Sequence, residues 1–203
     1  GGFSGGDEPD GSGKFITAFF RNAAIKEGVT DLLENRDGLM CGICNGFQAL
    51  IKLGLAPYGK IIDTDENCPT LTFNTIARHQ SRIVRTRISS NKSPWLALTQ
   101  VGDIYSVPIS HGEGRFLASD ELIAKLSANG QIATQYVDLD GNASNDIHFN
   151  PNDSVCAIEG ITSPDGRVFG KMGHSERIGK GLYKNVPGDY NIRMFEAAVK
   201  YFK

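Results

Sequence analysis

The sequence lacks most of what would commit a chain to an unusual environment. No apolar run approaches the roughly 20 residues needed to span a bilayer, and no leader-like segment precedes the first motif. No block of like charges occurs. The formal net charge of -2 offers no electrostatic footprint for nucleic acid or for an anionic membrane surface. The four cysteines, Cys41, Cys44, Cys68 and Cys156, are too few and too irregularly spaced for a disulfide framework, which predicts reduced thiols in a reducing compartment. His79, His111, His148 and His174 are scattered singly, so the second close pair of ligands that a zinc site requires is missing and no metal is expected. Internal repeats, low-complexity tracts and linkers are absent too. With 40% hydrophobic residues in 203, the composition predicts one soluble, cytoplasmic domain over residues 1–203.

Two nucleotide-binding fingerprints also fail. A phosphate loop ending at Gly13-Lys14 needs a glycine where Glu8 stands and a hydroxyl where Phe15 stands, and no Gly-x-Gly-x-x-Gly follows a strand. The opening Gly1-Gly2-Phe3-Ser4-Gly5-Gly6-Asp7 is nevertheless dense enough in glycine to let backbone N–H groups approach a ligand closely.

What is present centres on Asp37 to Gly54. Leu39 to Ile43 is a short apolar run suited to a buried strand, and Phe47 to Leu53 has helical spacing and stops at Gly54. Cys44 sits on the joint. Gly42 and Gly46 complete a Gly-x-Cys-x-Gly, the cysteine form of the strained strand-to-helix turn that holds a nucleophile above a sheet. A thiol there faces a helix N-terminus, whose free N–H groups favour negative charge, so a stabilised thiolate is expected.

Along the rest of the chain, Ser12 to Phe20, Ala24 to Glu34, Ser119 to Ala128 and Tyr190 to Phe202 read as helices. Leu71 to Thr75, Ser81 to Ser89, Ile104 to Ile109, Gln131 to Val137, Val155 to Ile161 and Arg167 to Met172 read as strands. Arg82, Arg85 and Arg87 are expected on a solvated strand face. Ser110 to Phe116 is expected as a turn that gathers His111, Glu113 and Arg115. Strands interleaved with helices predict an α/β fold, and the hairpin at Ser163-Pro164-Asp165-Gly166 makes the sheet mixed. After that hairpin come Gly173, His174, Ser175 and Glu176. A thiol nucleophile needs a base, and the base needs a third group to fix its tautomer. His174 and Glu176, two residues apart on an extended backbone, supply both.

Gly42-Ile43-Cys44-Asn45-Gly46-Phe47-Gln48, the His174-x-Glu176 pair and the opening glycine loop together resemble a class I (triad) glutamine amidotransferase. Ser110-His111-Gly112-Glu113-Gly114-Arg115 and Asn150-Pro151-Asn152-x-Ser154 narrow the resemblance to the glutaminase domain of phosphoribosylformylglycinamidine synthase. The resemblance runs from Gly1 to about Arg177. It implies a flavodoxin-like fold, a mixed central sheet with helices on both faces, and a thioester formed on Cys44 by L-glutamine with His174 and Glu176 completing the triad. It further implies oxyanion donors at the backbones of Gly2 and Asn45, substrate contacts from Gln48 and His111, and ammonia transfer to a synthetase domain, fused or separate. That domain would use ATP and Mg2+ on formylglycinamide ribonucleotide, and this chain itself would carry no cofactor. The chain departs from the family form His-Pro-Glu in having Ser175. It also lacks the family's first strand and helix, so an N-terminally incomplete domain is expected, short by about 60 residues if two strand-helix units of about 30 each are missing.

Three other readings stay open: a glutaminase serving another synthetase or a cysteine hydrolase on the same fold, a non-catalytic partner-binding domain, and a thiol-redox protein built on Cys41-Gly-Ile-Cys44. In redox proteins the first cysteine opens the helix, whereas here Cys41 falls inside the apolar strand. The glutaminase reading therefore predicts that Cys44→Ala abolishes glutamate release while Cys41→Ala retains it, and that reductant leaves the rate unchanged in a turnover assay.

Overall fold

The computed structural model describes residues 11–203. The glycine loop of residues 1–7, including Gly2, lies outside them. Two helices, α1 (Lys14–Phe20) and α2 (Ala23–Glu34), precede strand β1 (Met40–Ile43), which turns directly into α3 (Asn45–Leu53). A short helical turn, α4 (Leu55–Tyr58), follows, then β2 (Thr70–Phe73), β3 (Gln80–Ile88), β4 (Ile104–His111) and β5 (Glu113–Leu117). The chain closes with α5 (Asp120–Ala128), β6 (Ile132–Tyr136), β7 (Ile158–Thr162), β8 (Val168–Lys171) and α6 (Met194–Tyr201).

Local chemistry explains the boundaries. The Asn22 side chain accepts the Ala24 N–H at 3.1 Å to start α2, and Ser119 Oγ accepts the Leu122 N–H at 3.2 Å to start α5. Asp120 and Glu121 place carboxylates in the first turn of α5, where the helix dipole favours them. Helix α3 ends at Gly54, whose φ of 79° suits a residue without a Cβ.

Among the described residues, six strands form the main sheet in the order β1-β8-β7-β6-β3-β4. The β1–β8 pair is parallel and the other four pairs are antiparallel, so the sheet is mixed as expected. β1 lies at one end of this order, with β8 as its strand partner among the described residues. A separate antiparallel pair, β2–β5, was not anticipated.

Neighbouring residues of a strand point to opposite faces, and β8 shows that both faces are covered. Val168 packs with Val29 and Leu33 of α2 and with Phe47 and Leu50 of α3. Phe169 packs with Ile88, Leu96, Ile192 and Met194 on the other side, where α6 lies. The alternation expected of β3 is also present, with Val84, Thr86 and Ile88 buried and Arg85 and Arg87 half-buried.

Four expectations require correction. Ser110 to Phe116 is not a compact turn, because β4 continues to His111 and β5 starts at Glu113, the two meeting at Gly112. β7 starts at Ile158, after a 3-10 turn at Val155–Ala157 in which Cys156 has a φ of 51°. α6 starts at Met194, since Asp189 Oδ1 and Asn191 Oδ1 capture the N–H groups of Asn191 and Arg193. The arginines of β3 are not a merely solvated face. Arg85 donates to the carbonyls of Asp138 and Leu139, Arg87 to the Gly141 carbonyl and Gln135 Oε1, and Arg82 to the His148 carbonyl, so together they fasten the 138–148 loop to the sheet.

Helix α3 seats directly on β8 because Gly170 has no side chain. A Cβ there would lie 2.0 Å from Phe47 Cδ2 and 2.6 Å from Cε2. Phe47 is fully buried, with little room to retreat. Gly170→Ala is therefore expected to destabilise the fold by about 1–3 kcal/mol, read as a lower urea midpoint at unchanged slope.

Candidate active site

Cys44 occupies the joint between β1 and α3 with φ 55° and ψ -110°, outside the regions a non-glycine residue normally enters. Three contacts hold it there. Its N–H donates to the Lys171 carbonyl on β8 at 2.8 Å, and its carbonyl accepts the Gln48 N–H at 3.1 Å. Behind it Gly42 approaches Gly46 so closely that a Cβ on Gly42 would lie 2.6 Å from the Gly46 carbonyl. The Gly-x-Cys-x-Gly spacing thus does what the sequence implied, and the result is a strained turn that raises one side chain at the end of the sheet.

Cys44 opens onto a cavity of about 430 Å³, within the roughly 300–1,000 Å³ of small-molecule sites. Asn45 and Gln48 of α3 line it as well, and His111 and His174, both distant in sequence, converge there with the thiol. His174 is buried, and its Nδ1 lies 2.6 Å from Glu176 Oε1, the third-group contact expected of the pair. Partial burial works to raise the Glu176 carboxyl. The hydrogen bond from His174 and the charges of His174 and Arg177 outweigh it and hold the carboxyl below the usual range. With Nδ1 engaged by Glu176, the other ring nitrogen of His174, Nε2, has no hydrogen-bond partner among the described residues.

The thiol itself differs from expectation. Burial pushes the Cys44 pKa up, and the Asn45 N–H and the charge of Arg177 oppose the rise without cancelling it. The resting group is a thiol, not a stabilised thiolate. Its Sγ lies 3.8 Å from the Ser110 carbonyl, an acceptor that suits the protonated form. Cys41 sits in β1 and is pushed up to about 12, first by burial, and both it and Cys44 are free. A redox pair requires a nucleophilic first cysteine, and Cys41 is the opposite.

The two loops that narrowed the sequence resemblance brace each other. Asn152 Nδ2 donates to the Gly114 carbonyl at 2.9 Å and contacts the Tyr136 hydroxyl at 2.8 Å, while Ser154 Oγ accepts the Phe116 N–H at 3.1 Å. Asn150 closes the second loop on itself through the Ser154 N–H and carbonyl. Arg115 turns away from the cavity to Asp153, so it does not gather with His111 and Glu113. Gln48 Nε2 donates to the Glu113 carbonyl at 2.9 Å, which fixes α3 against the same segment.

Sequence reasoning left out of the site several residues that the structure brings to the cavity: Ser12, Phe73, His79, Glu113 and Arg177. His79 Nε2 lies 3.0 Å from Ser110 Oγ, at the cavity wall. Arg177, next to the His-x-Glu pair, and Glu113, two residues after His111 in the same glycine-containing segment, carried a positional signal. Among the described residues no group of three His, Cys, Asp or Glu could hold a metal ion, and no helix is long and apolar enough to cross a membrane.

Comparison with known proteins agrees with this geometry. A family model described as the CobB/CobQ-like glutamine amidotransferase domain matches residues 1–202. The chain therefore belongs to the glutamine amidotransferases. Within them it is similar to the phosphoribosylformylglycinamidine synthase subunit PurQ of Methanococcus maripaludis, at 36% identity over 222 residues, covering 100% of this chain and 78% of the relative. The corresponding subunit of Salinibacter ruber is 32% identical over 99% of this chain and 76% of its own length. The solved structure of PurLQS from Thermotoga maritima matches with a TM-score of 0.71 at 26% identity, covering 100% of this chain and 77% of that one.

His111 supplies a pH test of the site. It is buried with neither ring nitrogen hydrogen-bonded among the described residues, and burial, aided by the nearby His174 and His79, holds its pKa down to about 3. The unfolded chain takes up a proton at this position below about pH 6.5, and the native one does not. Stability from this group is therefore lost as pH falls from about 6.5 towards 3, at about 1.4 kcal/mol per pH unit, and is constant above that window. His111→Asn is expected to remove this slope between pH 7 and pH 5 in urea titrations, whatever it does to the stability at pH 7.

Proposed function

We propose that this chain hydrolyses L-glutamine through a thioester on Cys44 and delivers the ammonia to a synthetase that converts formylglycinamide ribonucleotide to formylglycinamidine ribonucleotide. The observation that carries this reading is the convergence on one cavity of Cys44, held at a strained strand-to-helix turn, and His174, whose Nδ1 is fixed by Glu176. The similarity to phosphoribosylformylglycinamidine synthase subunits supports the choice of synthetase.

In this mechanism glutamine enters with its side-chain carbonyl carbon against Cys44 Sγ. His174 Nε2 takes the thiol proton as sulfur attacks, Glu176 stabilises the imidazolium, and the proton passes to the leaving ammonia. Water then attacks the γ-glutamyl thioester, giving its proton to His174, and glutamate leaves as the thiol re-forms. The N–H of Asn45, at the start of α3, is assigned as one donor for the oxyanion and the backbone of Gly2 as the other, as the family resemblance implies. Gln48 and His111 face the substrate. At the cavity wall Glu113 offers a carboxylate and Arg177 a guanidinium, the two charges that an α-ammonium and an α-carboxylate require. Among the described residues no group of three His, Cys, Asp or Glu could hold a metal ion, and the ATP and Mg2+ chemistry is assigned to the synthetase partner.

A glutamine analogue bearing an electrophilic diazoketone tests the reading. The intact protein is expected to gain one adduct on Cys44 by mass spectrometry, blocked by excess glutamine, and Cys44→Ala to gain none. Absence of an adduct in the intact protein overturns the glutaminase assignment. Glu113→Gln should raise KM for glutamine by about tenfold with kcat little changed, the mark of lost ground-state binding.

A further inference from the structure

A charged residue inside an otherwise apolar strand needs a reason, and β7 and β8 each contain one. Lys171 ends β8 and Glu159 lies in β7, with side chains 1% and 0% exposed and Nζ 3.2 Å from Oε1. Taking two charges out of water is costly, and an apolar pair of similar volume often serves a core as well or better. What these two charges do beyond pairing is specific. Lys171 Nζ also donates to the Gly173 carbonyl at 2.9 Å and to Ser175 Oγ at 3.0 Å, so its three protons are all used. Glu159 Oε1 accepts the Gly173 N–H at 2.6 Å, and Oε2 accepts the Thr134 hydroxyl.

The residues on either side of His174 are thus both tied to the pair, Gly173 through its N–H and its carbonyl and Ser175 through its hydroxyl. His174 itself adds two backbone bonds, its N–H donating to the Pro108 carbonyl at 2.9 Å and its carbonyl accepting the Arg177 N–H at 3.1 Å. The same Lys171 uses its main-chain carbonyl to hold the Cys44 N–H. One residue therefore anchors the nucleophile through its backbone and the base's turn through its side chain.

We propose that Lys171 and Glu159 are positioning residues that set His174 against Cys44, a role that rests on the glutaminase reading above. Neither touches the cavity, so they act through the 173–175 turn. Near-attack geometry is sensitive, and a displacement of about 1 Å can cost about 100-fold in rate.

The test compares Lys171→Met with Lys171→Met/Glu159→Leu in the intact protein. It measures glutamate release, thermal midpoint and the ring resonances of His174 by nitrogen-15 histidine labelling, which is tractable with four histidines. Lys171→Met strands a buried carboxylate and should lower both the midpoint and kcat. The double variant removes both charges and should recover the midpoint, while kcat stays down about 100-fold, KM changes less than about twofold, and the His174 ring loses its Nδ1-bonded signature. If kcat recovers together with the midpoint, or the His174 resonances of the double variant match wild type, the pair is structural only and the proposal is overturned. The resonances are read without turnover. An inactive wild-type protein would thus overturn the glutaminase reading, while the spectra still decide whether the pair sets the ring.

Discussion

The hydrogen bond from the Cys44 N–H to the Lys171 carbonyl is the contact on which the rest of the site depends. It joins the end of β1 to the end of β8, the one parallel pair among the described residues. Parallel strands finish at the same edge, so the two segments that follow them, α3 and the His174 turn, emerge side by side. An antiparallel β8 would send its following turn to the opposite edge, and thiol and imidazole would be separated by the length of a strand. The strain at Cys44, of the order of 1–3 kcal/mol for a residue at such an angle, persists because this bond, the start of α3 and the Gly42–Gly46 contact all determine the same turn.

Around that edge, polar residues behave as a frame. Asn152 and Ser154 hold the segment from Gly114 to Phe116, and Gln48 ties α3 to Glu113. On the other side, Asn74 donates to the carbonyls of His111 and Arg78 and takes part in the link between β2 and Gly112. Each of these buried amides meets backbone groups that the β4–β5 junction cannot satisfy within a ladder. The cavity walls are therefore fixed before any ligand arrives, which is the condition for preorganised electrostatics.

Much of this was legible in the sequence, for identifiable reasons. The turn at Cys44 was readable because the close approach of Gly42 to Gly46 leaves no room for a side chain, and that restriction shows as residue type. The pairing of His174 with Glu176 was readable from the residue types and their spacing, but not for the expected reason: Ser175 and Glu176 lie in a turn closed by the Arg177 N–H on the His174 carbonyl, not on extended backbone. What was not readable depended on distant partners. The segment from Ser110 to Phe116 reads as a turn because Gly112 and Gly114 alternate with polar residues, yet β2 supplies a strand partner that glycine does not forbid. Glu113 and Arg177 reach the cavity only through the fold. Lys171 and Glu159 left a faint signal, each a charge in an apolar strand, whose meaning needs the other residue's position.

The protonated state of Cys44 follows from relative magnitudes. A helix N-terminus favours an anion by about 0.3–1 kcal/mol, which is less than one pKa unit, whereas burial can shift a group by 3–5 units. Burial outweighs the dipole, and the thiol keeps its proton. This does not weaken the proposed chemistry, because a donor satisfied by a resting thiolate would stabilise the ground state as well as the transition state and gain nothing for the rate. With the thiol neutral, negative charge appears only when sulfur bonds to the amide carbon and the carbonyl oxygen becomes anionic. His174, with Nδ1 held by Glu176, then accepts the thiol proton in the same step. Burial at Cys44 thus holds back negative charge until the step in which the transition state forms.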